Sequence, residues 1–271
     1  MAAQGVEFSH VSLTLPGGLQ LLRDVSLRIK PGTTTALLGR SGSGKTTLLR
    51  MVNALVRPTA GSVVVGGRDV GAVDPIELRR GIGYVIQETG LFPHMKIERN
   101  VGMTLELAGR SRAEIAGRAE AMLELVGLAK DFAGRYPWQL SGGQRQRAGL
   151  ARALAGEPQV LLMDEPFGAL DPLTRAEMQT MLRELLRRVG TTTLIVTHDL
   201  DEALYLADRV VLLEAGRVVA DLAAGDVRGS QIEAVRAYVA ATHRADIVHP
   251  TLADDKAVGE DGAPGVVGGA A

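Results

Sequence analysis

The sequence predicts an α/β fold with a mainly parallel sheet covered by helices, and three observations carry that prediction. Short apolar runs of strand length alternate with longer segments of helical period. One run, residues 33–38 (TTTALL), leads straight into the glycine-rich loop GRSGSGKTT at 39–47 and then into a helical stretch. Another, residues 160–163, ends on the adjacent acids Asp164 and Glu165. With 271 residues the chain can bury one large core, or a core with a smaller subdomain.

In chain order, residues 6–15, 25–29 and 62–65 alternate apolar with polar positions between turn residues, which predicts an antiparallel edge. Residues 33–38 do not alternate and predict a buried strand, followed by a helix over 46–56. Residues 84–86 (YVI) begin like another buried strand, but Gln87 breaks the pattern. A loop bearing Leu91, Phe92, Pro93 and Met95 follows it. Residues 110–132 read as helical, part of an inserted helical subdomain at about 90–155. Buried strands are predicted at 160–163, 193–196 and 209–213. Between the first two lies a helix over 173–189, with Met178, Met181, Leu182, Leu185 and Leu186 on its apolar stripe. The main domain then covers 1–222 and a short helical extension 223–250, with a helix over 231–242. From Thr251 the composition turns to Gly, Ala, Asp and Pro, which predicts a disordered tail over 251–271.

Composition excludes several functions. Apolar residues make up 46% and charged residues 23%, a balance that suits a soluble protein with a covered sheet. Net charge is −1, from 30 basic and 31 acidic residues, so no global field draws the chain to nucleic acid. There is no cysteine, hence no disulfide and no thiol chemistry. The first residues, MAAQGVEFSH, lack the pattern of a signal peptide, and the apolar runs are too short to span a bilayer. A cytoplasmic protein is the expectation.

The glycine-rich loop has the strand–G-x-x-x-x-G-K-[ST]–helix arrangement of a phosphate site. Gly39, Gly42 and Gly44 let backbone N–H groups converge on phosphate oxygens, and Arg40, Ser41, Ser43 and Thr47 complete the loop. Lys45 brings its charge to the β and γ phosphates, and Thr46 offers a hydroxyl to Mg²⁺. A buried parallel strand delivers Asp164 to the sheet edge where ligands bind, where it can hold Mg²⁺ through water. Glu165 can orient or deprotonate an attacking water. His198 ends the strand at 193–196 and is either structural or a γ-phosphate contact. The segment LSGGQ (140–144) opens a helix, where Gly142 and Gly143 leave the N-terminus bare and Ser141 adds a hydroxyl. Such an end binds anions.

Taken together, GRSGSGKT, Gln87, LSGGQ, VLLMDE, the GALD of 168–171 and His198 resemble, in order, the ATP-binding subunits of ABC transporters over roughly residues 6–222. The resemblance implies a P-loop NTPase (RecA-like) core with a mainly parallel sheet, an antiparallel β subdomain and a helical subdomain. It implies Glu165 as catalytic base, His198 as γ-phosphate contact, and Gln87 reaching Mg²⁺ and the attacking water. Ser141, Gly142, Gly143 and Gln144 would face the nucleotide of a second copy, with Asp171 at the seam. A homodimer sandwiching two ATP molecules is thus implied, peripheral to the cytoplasmic face of a membrane. Its partners would be permease subunits and, indirectly, a solute-binding protein.

Within the family the finer resemblance is to importers of glycine betaine, choline and other quaternary amines. It rests on DPIELRRGIGYVIQETGLFPHMKIERN (74–100), YPWQLSGGQRQR and LLMDEPFGALDPLTR. Importers of amino acids, taurine or polyamines share parts of it; a soluble ABC ATPase and an exporter subunit fit less well. Many members of the quaternary-amine group carry C-terminal CBS domains, and nothing of that size follows residue 222. Where the family places an aromatic to stack on adenine, this chain aligns Leu15, and Phe8 lies on the opposite strand face. Adenine would then be held by apolar contact. Leu91, Phe92 and Met95 would either meet the permease or seat the helical subdomain.

Overall fold

The computed structural model describes residues 3–87 and 89–246. The chain opens with β1 (Val6–Thr14) and β2 (Gln20–Ile29), then β3 (Thr34–Leu38) and α1 (Lys45–Val52). Next come β4 (Ala60–Val65), β5 (Arg68–Asp69), α2 (Pro75–Arg80) and β6 (Ile82–Val85). Helices α3 (Ile97–Leu107), α4 (Arg112–Leu125) and α5 (Gly142–Ala155) precede β7 (Val160–Asp164) and α6 (Pro172–Val189). The described chain closes with β8 (Thr192–Thr197), α7 (Leu200–Leu206), β9 (Arg209–Glu214), β10 (Arg217–Ala223) and α8 (Glu233–Asp246).

Among the described residues the main sheet has the order β10-β9-β3-β8-β7-β6, all parallel except the β10–β9 pair. The runs that lacked alternation are its central strands, and period-two geometry explains why both faces must be apolar. Leu162, Leu194 and Val196 point to one face, and Leu161, Met163 and Ile195 to the other. The first set packs with Phe8, Leu22, Val25 and Met51 beneath a second sheet. The second set packs with Ile97, Leu123, Leu154 and Leu182 of the helices.

Several expectations need correction. The strands read as an antiparallel edge form a sheet of their own, β2-β1-β4-β5, the antiparallel β subdomain that the resemblance implied; it alternates because only one of its faces meets the core. The antiparallel edge of the main sheet is β10, which sequence reading did not mark. Its turn is Ala215–Gly216, both at positive φ (46° and 78°), the backbone that a two-residue hairpin requires. α1 stops at Val52 rather than 56, and Ala54 just beyond is left-handed (φ 54°). The helix expected over 110–132 is shorter. A capping box of Ser111 with Glu114 starts α4, which ends at Leu125 before Gly127 (φ 70°). A 3₁₀ turn at Lys130–Gly134 follows.

Helices α3 to α5 fall within the expected insertion, yet their core runs on into Leu161, Met163 and Ile195 of the sheet. They share one hydrophobic unit with it. α8 starts at Glu233, two residues into the helix expected over 231–242, and the tail expected from Thr251 lies outside the described residues. Among the described residues no helix is long and apolar enough to cross a membrane.

Candidate active site

The phosphate loop leaves β3 pressed against β9. A Cβ on Gly39 (φ 149°) would stand 2.3 Å from the Leu213 carbonyl oxygen and 2.8 Å from Ser43 Oγ, so only glycine fits. Lys45 is buried at the start of α1, and its ammonium donates to the carbonyls of Gly39 at 2.7 Å and Arg40 at 3.0 Å. Burial pushes its pKa down, while Glu165 and Asp164 pull it back up. Arg40, Ser41 and Gly42 are exposed, whereas Ser43 is buried and its Oγ has no hydrogen-bond partner among the described residues. A buried hydroxyl left open in a glycine-rich loop is what a phosphate oxygen could satisfy.

Opposite the loop, β7 delivers Asp164. The Thr46 hydroxyl donates to its Oδ1 at 2.8 Å, and the Tyr84 hydroxyl to its Oδ2 at 3.4 Å, with Arg50 Nη2 at 3.6 Å. Burial raises the Tyr84 pKa, so the phenol stays a donor. Hydroxyl and carboxylate oxygens side by side are the donors that Mg²⁺ takes when water and phosphate supply the rest.

Glu165 follows with a left-handed backbone (φ 46°), a costly conformation for a residue with a side chain. Its N–H is held by the Val196 carbonyl at 2.9 Å, and its Oε1 lies 3.5 Å from His198 Nδ1. Gln87, exposed beyond β6, has its amide nitrogen 3.5 Å from the place of a Gly168 Cβ. The C-terminal ends of β3, β6, β7 and β8 thus bring Lys45, Thr46, Gln87, Asp164, Glu165 and His198 to one edge of the sheet. Ligands of open parallel sheets bind at such an edge.

The remaining motif residues form a second group. Ser141 caps α5, its Oγ accepting from the Gln144 N–H at 3.3 Å, while Gln144 Oε1 accepts from the Ser141 N–H at 2.9 Å. Gly143 is buried, and a Cβ there would sit 2.5 Å from Thr174 Cγ2. Asp171 caps α6 by accepting from the Thr174 N–H at 3.0 Å, and Thr174 holds its carboxyl below the usual range. Among the described residues no hydrogen bond joins this group to the phosphate loop.

Motif reading missed the residues that brace these loops. Arg152 of α5 donates to the carbonyls of Gly90 at 2.6 Å and Thr89 at 2.7 Å. Asn100 is fully buried on α3, accepts from the Phe92 N–H at 2.7 Å, and donates to the carbonyls of Phe92 and Met95. A lone amide between Ile97 and Val101 was a signal in the sequence; Arg152 gave none. The loop they hold splits by role: Leu91 packs on the helical core, while Phe92 and Pro93 are exposed. Leu15 is exposed in the turn after β1, and Phe8 is buried in the core and unavailable to a base.

Glu202, also missed, sits on α7 near Thr197 and Asp199, buried, with Oε1 lacking a hydrogen-bond partner among the described residues. Burial pushes its carboxyl up to about 7, Thr197 opposes, and the Asp199 charge adds to the rise. Between the ordinary carboxylate range and about pH 7 the folded chain keeps a proton that the unfolded chain has released. That contribution is full at low pH and is lost as pH rises through about 7, at a cost of about 3 kcal/mol. Glu202→Gln should therefore match the parent in urea midpoint at pH 5 and exceed it at pH 8. Equal midpoints at pH 8 would contradict the assignment.

The ABC transporter family model matches residues 22–168, more than half of the chain. A carnitine transport ATP-binding protein, OpuCA of Listeria monocytogenes, is 46% identical over 214 residues, covering 79% of this chain and 54% of its own. This chain therefore spans about half the length of that relative. A glycine betaine uptake system ATP-binding protein, YehX of Escherichia coli (strain K12), is 48% identical over 214 residues, covering 79% of this chain and 69% of its own. A sulfate/thiosulfate import ATP-binding protein, CysA of Nocardia farcinica, is 50% identical over 202 residues, covering 74% of this chain and 60% of its own. Among solved structures, the dimeric ATP-binding cassette MJ0796 in a post-hydrolysis state with ADP and Pi superposes with a TM-score of 0.73. It is 34% identical and covers 81% of this chain and 98% of its own. On the matched span, the relatives and the site just described, this chain belongs to the ABC transporter family of ATP-binding proteins.

Proposed function

We propose that the chain is the ATP-hydrolysing subunit of an importer of glycine betaine, choline or another quaternary amine. The observation that carries the ATPase reading is the convergence of Lys45, Thr46, Asp164, Glu165 and His198 at one sheet edge. Lys45 and the loop amides bind the β and γ phosphates. Thr46, Asp164 and Gln87 would hold Mg²⁺, which neutralises charge on the phosphates when bound. Glu165 takes a proton from water as the water oxygen bonds to the γ-phosphorus and the bond to the bridging oxygen breaks. His198, exposed beside Glu165, contacts the γ-phosphate.

The Ser141 cap and Asp171 act on the nucleotide of a second copy, a reading supported by the dimeric state of MJ0796. Phe92 and Pro93 offer an apolar surface to a permease, which would hold the subunit at the cytoplasmic face of the membrane. The amine cargo rests on the names of the relatives OpuCA and YehX and is independent of the site chemistry.

Reconstitution of the subunit with its permease and binding protein in liposomes tests the whole reading. ATP-dependent uptake of labelled glycine betaine or choline, in preference to methionine and sulfate, is expected. Uptake of sulfate or methionine in place of the amines would move the cargo while keeping the ATPase. Where the resemblance aligns Leu15 with an adenine-stacking aromatic, Leu15→Tyr should sharpen a weak preference for ATP over GTP, read from the two Kd values. A strong ATP preference in the unmodified chain that tyrosine leaves unchanged would sink that idea.

A further inference from the structure

Tyr238 reaches the candidate site from α8, a helix outside every motif that marked the site. Its hydroxyl donates to the His198 carbonyl at 2.7 Å. Asp199 and Arg40 act on the phenol electrostatically. Burial raises the phenol's pKa, so it remains a hydrogen-bond donor at neutral pH.

The helix that carries Tyr238 is fixed against the core. Val235 is buried, and Tyr238 and Val239 pack in the cluster of Leu38, Leu200 and Leu212. Leu38 directly precedes Gly39, and Leu200 lies just past His198. The same helix forms one wall of a cleft whose other wall is the phosphate loop from Arg40 to Ser43. Gly39 carries a carbonyl that holds the Lys45 ammonium, and His198 carries the ring beside Glu165. The hydroxyl therefore holds the His198 loop from a side chain that also walls the phosphate loop.

We propose that Tyr238 is a positioning residue that ties the phosphate loop to the His198 loop, so that α8 sets the rate of nucleotide turnover more than its affinity. The inference rests on the reading of Lys45, Glu165 and His198 as an ATPase site. Removing the hydroxyl frees the His198 carbonyl, and the imidazole must then be ordered anew in each turnover. The phosphate loop keeps its own amides and Lys45, so nucleotide binding is retained.

The test uses the full chain. Tyr238→Phe should keep its Tm and its KM for ATP and lower kcat about fivefold, the worth of one hydrogen bond. In a His198→Ala background the same change should have no further effect, because Tyr238 acts through His198. Hydrogen–deuterium exchange without nucleotide supplies a readout independent of turnover: amides at 39–43 and 197–200 should exchange faster in Tyr238→Phe. An equal fall in both backgrounds, or unchanged kcat and unchanged exchange, overturns the proposal. Faster exchange in the variant of a chain that hydrolyses no ATP would count for the tie and against the ATPase reading.

Discussion

Glu165→Gln is expected to lower ATP turnover by about 10²–10⁴-fold, the range for losing the proposed general base, while ATP binding survives. The amide keeps the size of the side chain and the contact with His198 Nδ1, now 3.5 Å away, but it cannot take a proton from water. The left-handed backbone at 165 is set by its neighbours, including the Val196 carbonyl on its N–H, and is not altered by exchanging an oxygen for an amide nitrogen. The substitution thus isolates proton transfer from structure. ATP-bound dimers should accumulate, visible as a shift in size-exclusion elution with ATP. Phosphate release within threefold of the parent would remove Glu165 from the mechanism.

Lys45→Ala is expected to weaken ATP binding by about a hundredfold or more, because it removes the buried cation that offsets Asp164 and Glu165 at the phosphate loop. Lys45 is the cation that Gly39 and Arg40 hold with their carbonyls, facing Asp164 and Glu165. Without it the incoming phosphates meet two carboxylates and two bare carbonyls. The fold should tolerate the change, since the glycines and α1 do not depend on the ammonium. Titration of a fluorescent ATP analogue decides the matter: a Kd within threefold of the parent would show that the loop amides suffice.

What could be read from the sequence was what local chemistry forces into a short stretch. A phosphate loop needs glycines at fixed spacing, and a catalytic carboxylate needs a buried strand to deliver it. GRSGSGKTT and VLLMDEP therefore announced the strand ends and the residues that stand there, whose roles are proposals. The braces were not legible, because they join residues far apart in the chain. Arg152 holds Thr89, 63 positions away, and Tyr238 holds His198, 40 positions away. Alternation correctly marked β1, β2 and β4 as half-buried, but it cannot say which sheet a strand joins. The turn at Ala215–Gly216 hid β10 for a related reason: alanine there occupies a conformation that composition alone gives to asparagine or glycine.

The Arg152 brace carries a mechanical consequence. Arg152 stands eleven positions along a helix whose first turn is capped by Ser141, about 16 Å apart at the rise of an α-helix. α5 is in effect a strut, fastened at one end to the carbonyls of Thr89 and Gly90 and carrying the glycine-rich cap at the other. The helix between those ends is packed into the core of the main sheet through Leu150 and Leu154, so the two ends keep their spacing. The registry between the 89–92 segment and the Ser141 cap is therefore fixed by a single guanidinium.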